Sequence, residues 1–213
     1  MKKFVLSLLV VLGLFALACG LLDEEATTIT YEAAIPIEFS IDSADFCSDC
    51  PDEQADAVES FELDPLEANI PIQASDFQVV GDFDIREITR RMRSMEITSI
   101  DYVVGDNSLT FDLPPLDVFV APLSVTEVGQ AGSVHLTTVP QAPAGTDVDA
   151  NAPVRSEARD PASDLFKELD FRALFTAVPR IEEGQPVPPS GKADIQLIVN
   201  VRIVANAVEA ARN

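Results

Sequence analysis

The chain has 213 residues, 47% of them hydrophobic, with 15 Pro, 9 Gly, no Trp and a formal net charge of -22. That length suits one domain or two small ones with a real core, and so large a negative charge repels phosphate backbones and excludes nucleic acid as a partner. High Pro with few aromatics favours short strands and rigid loops over a helical bundle.

Lys2 and Lys3 precede an almost unbroken apolar run from Phe4 to Leu17, and Ala16-Leu17-Ala18 sets small residues before Cys19. This layout is an export signal, too short and wrongly flanked for a spanning helix. Ala16-Leu17-Ala18-Cys19 resembles the lipobox of bacterial lipoprotein precursors, with Ala16 in place of the preferred Leu; the resemblance covers only the leader. It implies cleavage before Cys19, acylation of that cysteine, and anchoring by two or three chains, each buried methylene contributing about 0.8 kcal/mol. Gly20, rather than an aspartate, resembles lipoproteins passed to the outer membrane of Gram-negative cells. An ordinary secretory signal leaving a free Cys19 thiol is the alternative. The expected organisation is a signal peptide at 1–18, a lipidated tether at 19–27 and one β-rich domain at 28–213. Loss of Lys2 and Lys3 with the leader takes the charge from -22 to -24.

Between Phe4 and Ile85 there is no Lys or Arg, while half of the 36 acidic residues lie there. The plain reading is a solvated surface that keeps an anchored protein soluble; the functional one is a cation-binding or partner-repelling face. Ile35, Ile37, Phe39 and Ile41 alternate with polar residues as a half-buried strand, and Pro36 places it at an edge. Cys47-Ser48-Asp49-Cys50 follows. In an exported chain a local disulfide between Cys47 and Cys50 is the expected state. A redox pair would need a βαβ context, and zinc two further ligands. Asp42, Asp45, Asp49 and Asp52 could offer oxygens to calcium but lack the EF-hand spacing and central Gly, so the favoured reading is a solvated loop and no cofactor.

Phe61-Glu62-Leu63 and Ile70 to Gln73 read as short strands. Ile85, Ile88, Met92 and Met95 share one face of a helix spanning 84–95, capped by Asp82 or Asp84. It carries Arg86, Arg90, Arg91 and Arg93, candidates for contact with an anion or lipid head group; the favoured expectation is that they pair with carboxylates of the acidic third. Ile97–Val104 and Leu109–Leu113 flank Gly105-Asp106-Asn107-Ser108 as a hairpin. Further strands are expected at Asp117–Val125 and Val134–Val139. The stretch 140–159, rich in Pro and Ala, reads as a surface loop, and Asp160-Pro161 opens a helix whose buried face takes Leu165, Phe166 and Leu169, with Leu174 and Phe175 as further candidates. Ile195 to Ala205 alternates as a central strand.

Nothing in the chain forms a catalytic motif. His135, the lone histidine, sits at an outward strand position, and Ser190-Gly191-Lys192 resembles a phosphate loop only in its tail, with Ala193 where Ser or Thr would hold magnesium. The expected fold is a mainly antiparallel β-sandwich or flattened barrel with one or two packed helices. The expected function is a membrane-anchored, non-enzymatic envelope lipoprotein acting as a binding or structural module toward an unidentified envelope protein or glycan. A carrier of an apolar ligand in a β-lined cavity is the alternative, and an envelope enzyme the third reading.

Overall fold

A computed structural model describes residues 28–47, 50, 55–81 and 83–207. The leader, Cys19 and the tether, together with Asp49, Asp52 and Asp82, lie outside the described residues.

The architecture is an antiparallel β-sandwich. Two long strands form its spine: β1 (Thr28–Asp42) and β13 (Lys192–Asn206) pair along their whole lengths, from Thr28↔Asn206 to Asp42↔Lys192. Both alternate buried and solvent-facing residues, because a strand with one face on a core buries every second side chain. The five-stranded sheet runs β5 (Gln78–Val79), β1, β13, β6 (Met92–Gly105), β9 (Val148–Ala152). The four-stranded sheet runs β4 (Leu66–Ile72), β10 (Phe171–Ala177), β7 (Leu116–Pro122), β8 (Val134–Val139). Between the layers Phe39 of β1 meets Phe175 of β10 at 4.6 Å between ring centroids. Phe46, Phe111, Phe166, Phe171 and Phe175 are essentially sealed from solvent, so aromatic rings fill the interior. Two further ladders tie one end together: β2 (Ala55–Asp56) with β12 (Pro186–Val187), and β3 (Phe61–Glu62) with β11 (Arg180–Ile181).

β13 is central, as its alternation implies. Pro36 lies on the side of β1 where β5 pairs only with Ala33 and Ala34, so its missing N–H falls on an open edge.

Four local expectations are corrected. The 84–95 helix is a single short one, Ile85–Thr89, capped by Asp84, whose side chain accepts from Arg86 N at 2.8 Å. From Met92 onward the chain is strand, because β13 needs a ladder partner along its full length and Met95 and Ile97 bury themselves in that ladder. Leu109–Leu113 does not fold back on β6, whose two edges are already occupied by β13 and β9. Its side chains Leu109, Phe111 and Leu113 go into the core instead, and Leu113 bridges to Ala142. The 140–159 stretch contains β9, which pairs Val148–Ala152 with Val104–Ile100. Finally, the second helix (Arg159–Lys167) stops short of Leu174 and Phe175: Leu169 takes a left-handed φ of 59° that ends it, and both residues belong to β10.

Candidate functional site

The Asp42 end of β1 turns into a 3-10 segment, Ser43–Phe46, which Asp42 caps by accepting from Ala44 N at 3.1 Å. Phe46 is driven inward and meets Phe111 edge-on at 5.9 Å. Cys47 and Cys50 then stand at disulfide distance, their Cα atoms 5.2 Å apart. From Ala55 the chain runs beside residues 179–187. Ala57 N donates to Gln185 O and Gly184 N to Ala57 O, both at 2.9 Å, and Leu63 N donates to Pro179 O at 2.9 Å. Ser60 Oγ donates to Glu182 Oε2 at 2.7 Å.

These bonds leave an open groove of about 550 Å³ between residues 46–64 and Val187. Phe46, Ala57, Leu63, Val187 and the cysteine pair supply its apolar wall, and Asp56, Glu59, Glu62 and Asp64 its carboxylates. No cation is among the described residues lining it. Val58, 90% exposed, and Phe61, 37% exposed, put apolar surface into water at its margin, where burial by a partner would be favourable.

Asp42 and Asp45 are the two of the four calcium candidates that lie among the described residues. Asp42 Oδ2 is held by Lys192 Nζ at 2.8 Å, and that hydrogen bond, with the one from Ala44 N, keeps the carboxyl below its ordinary value. Asp42 in turn raises the Lys192 ammonium. Asp45 is exposed, and no group of three metal-ligating side chains occurs among the described residues.

At the other end of β1 the arginine-bearing segment 86–93 runs beside the Thr28↔Asn206 pair, which Arg91 and Arg93 contact. Arg93 Nε donates to Asn206 Oδ1 at 2.6 Å, and Asn206 N to Arg91 O at 2.9 Å. Arg86, Arg90 and Arg93 are exposed and Arg91 half-buried. The expected pairing with the acidic third is not seen: among the described residues no carboxylate forms an ion pair with any of the four. Asp84 instead caps the backbone of the short helix, and Glu32 of β1 pairs with Arg202. Beside the arginines stands Phe83, 55% exposed, edge-on to Tyr31 at 5.1 Å, with Val80 and Ile29 exposed nearby along the chain. Gly81, at φ 98°, makes room for that ring; a Cβ there would lie 2.8 Å from Phe83 Cε2.

His135 is half-buried on β8 and stacks on Phe119 at 4.4 Å. Its Nε2 lies 3.1 Å from Thr137 O and 3.2 Å from Asp117 Oδ1, and its Nδ1 3.1 Å from Arg155 Nη1. Protein groups therefore surround both ring nitrogens. Gly191, of the phosphate-loop-like tripeptide, marks a crossing of two backbones: with φ 103°, a Cβ there would fall 2.0 Å from Ser108 O. The sequence indicated the acidic run and the arginines, but not the groove, which exists only once residues 55–63 meet residues 179–187.

No family model and no curated protein matches the chain. Among solved structures it is similar to one of Mud crab tombus-like virus, at 11% identity and a TM-score of 0.32, covering 88% of this chain and 86% of that one. It is also similar to one of Desmodium yellow mottle tymovirus, at 10% identity and a TM-score of 0.30, covering 81% and 87%. A third is a Macrobrachium rosenbergii nodavirus particle, at 11% identity and a TM-score of 0.32, covering 82% and 95%. Likenesses this distant assign neither a family nor an activity.

Proposed function

We propose that the chain is an envelope lipoprotein, anchored through Cys19, whose β-sandwich is a non-enzymatic binding module presenting the acidic groove to a basic, apolar-tipped segment of another envelope protein. The observation that carries this reading is the position of the groove. It stands at the Asp42 end of β1, 15 residues and therefore about 45 Å along the strand from the end that the tether enters. An anchored module that recognises a partner needs its binding face away from its anchor. The occupant's chemistry follows from the lining, in which apolar side chains stand beside the carboxylates of Asp56, Glu59 and Glu62 and, among the described residues, no Lys or Arg. A net charge of -22 would steer a cationic segment and repel a second copy of the chain.

The filled interior favours this reading over a lipid carrier, since rings occupy the space between the sheets that a lipid would need. Two measurements test it. Mass spectrometry of the mature protein should find a lipid adduct on Cys19, and an unmodified N-terminal cysteine sinks the anchoring. Titration of the soluble Cys19→Ala protein with a synthetic Arg/Leu amphipathic peptide should give saturable binding that weakens on Glu59→Gln/Glu62→Gln substitution, with a Glu/Leu peptide silent. Equal binding of the two peptides, or none, removes the groove from the proposal.

A further inference from the structure

The structure assigns a second interaction surface: the Thr28 end of the sandwich, formed by Ile29, Val80, Phe83 and the arginines Arg86, Arg90 and Arg93, is a docking face for an anionic lipid surface. The inference rests on the proposed anchoring for its geometry, but the surface itself is read from the fold.

Three observations converge there. The first is charge that the protein leaves unanswered. In a chain with 36 acidic residues against 14 basic ones a carboxylate is rarely far from a guanidinium: Arg155, Arg180 and Arg202, like Lys167 and Lys192, form ion pairs, while Arg159 and Arg172 donate to the carbonyls of Ile97 and Leu123. Among the described residues the four arginines of 86–93 do not, although Asp84 caps, and Glu87 lies in, the short helix that carries Arg86. Asp84 turns instead to the backbone N–H of Arg86, and Glu32 on β1 is held by Arg202 at 3.2 Å. The second observation is apolar surface in the same place. Phe83 and Val80 are 55% and 73% exposed within a few residues of the guanidinium groups, the mixture of ring and cation that settles at a membrane interface. The third is continuity with the anchor. Cys19 and Thr28 are nine residues apart, which at full extension is no more than about 30 Å, so an acylated Cys19 keeps this end of the molecule at the lipid surface.

The whole-molecule charge opposes adsorption of a free copy, so the face acts as an orienting contact that the anchor brings into range. Basic side chains add to attraction within about a Debye length of an anionic surface, while the acidic groove, far along β1, is pushed outward by the same potential. Docking at one end thus points the other end away from the membrane.

The absence of Trp from the chain supplies the test. The mature protein carrying Phe83→Trp is coupled through Cys19 to a maleimide lipid, which provides the tether whether or not the cell acylates that cysteine. It is displayed on vesicles of brominated phosphatidylcholine with or without phosphatidylglycerol. Fluorescence should be quenched on the phosphatidylglycerol vesicles at about 0.01 M salt, where the Debye length is about 30 Å, and recover at about 1 M, where it is about 3 Å. Val58→Trp at the groove should stay unquenched throughout. Quenching should be lost when Arg86, Arg90, Arg91 and Arg93 become Gln and kept when all four become Lys. Equal quenching at positions 83 and 58, no quenching at 83, or quenching indifferent to the Gln replacements would each overturn the assignment. Failure to find a natural lipid on Cys19 would overturn only the anchoring.

Discussion

Among the described residues, the Thr28 end of β1 sets four arginines with no carboxylate ion pair beside an exposed phenylalanine, whereas at the Asp42 end Lys192 is locked to Asp42 and the charged side chains lining the apolar groove beyond are carboxylates. The difference is written into the chain as a block: residues from Phe4 to Ile85 contain no cation. A single 15-residue strand carries that block from one end of the sandwich to the other. Segregation of this kind costs ion pairs that the composition could readily have formed, yet exposed pairs contribute only about 0–1 kcal/mol each. Their loss is a small stability term, and what it leaves is a molecule with two chemically distinct ends.

The ends differ in construction as well, and substitutions can break that contrast. The Asp42 end is knitted from backbones in close approach, so Gly191→Ala should have the largest effect. It adds a methyl that meets the Ser108 carbonyl at 2.0 Å in a positive-φ conformation, and neither backbone can yield cheaply. A loss of about 3 kcal/mol or more is expected by urea unfolding; a change under about 1 kcal/mol would mean that the crossing relaxes freely. Reduction of the Cys47–Cys50 bond should follow. The loop it closes is small, so it contributes about 2 kcal/mol at most, and urea midpoints with and without reductant measure that contribution. Alkylation without reductant should label neither thiol, and quantitative labelling of both would show that the groove wall is not cross-linked. At the Thr28 end Gly81→Ala should be milder, about 1–2 kcal/mol: it shares the positive φ, but its methyl meets only the exposed ring of Phe83, which can swing aside. If Gly81→Ala cost as much as Gly191→Ala, the two ends would be equally rigid.

Much of the scaffold was legible as alternation. Ile35 to Ile41 and Ile195 to Ala205 keep period two over a long stretch, and β1 and β13 are the strands they make. The misread segments had patterns that satisfied two periods. Ile85, Ile88, Met92 and Met95 fit a helix, while Met95 and Ile97 fit a strand. Only the demand of β13 for a partner decides between them. β9 was invisible because Val148-Asp149-Ala150-Asn151-Ala152 has no β-branched or aromatic run; it is strand because β6 offers it an edge. The hairpin signal at Gly105-Asp106-Asn107-Ser108 was a genuine turn without a hairpin: Asp106 has φ 47°, and Asn107 ties the turn to Pro143 and Thr146 carbonyls instead. The groove was unreadable for a related reason, since Ser60 and Glu182 are bonded across a separation of 122 residues.

The smallest effect is the sharpest test of unequal pairing, because it uses pH and not a deletion of bulk. In the folded protein Lys192 hydrogen-bonds Asp42 and lowers its carboxyl below the unfolded value. A depressed carboxyl contributes stability that is present above its unfolded value and lost as pH falls through the folded one. Lys192, raised by Asp42, contributes stability that is complete below its own unfolded value and lost as pH rises through the folded one. The pair therefore gives a plateau across neutral pH with a decline at each extreme. Asp42→Asn should flatten part of both declines while barely moving the neutral urea midpoint, because the groups are exposed and screened by solvent. Replacing Arg86, Arg90, Arg91 and Arg93 by Gln should alter neither decline, since no carboxylate is coupled to them among the described residues. Urea midpoints at acid, neutral and alkaline pH for the two variants separate the cases. A flattened acid decline in the arginine variant would show that those guanidinium groups hold carboxylates after all. The contrast between a paired Asp42 end and an unpaired Thr28 end would then be gone.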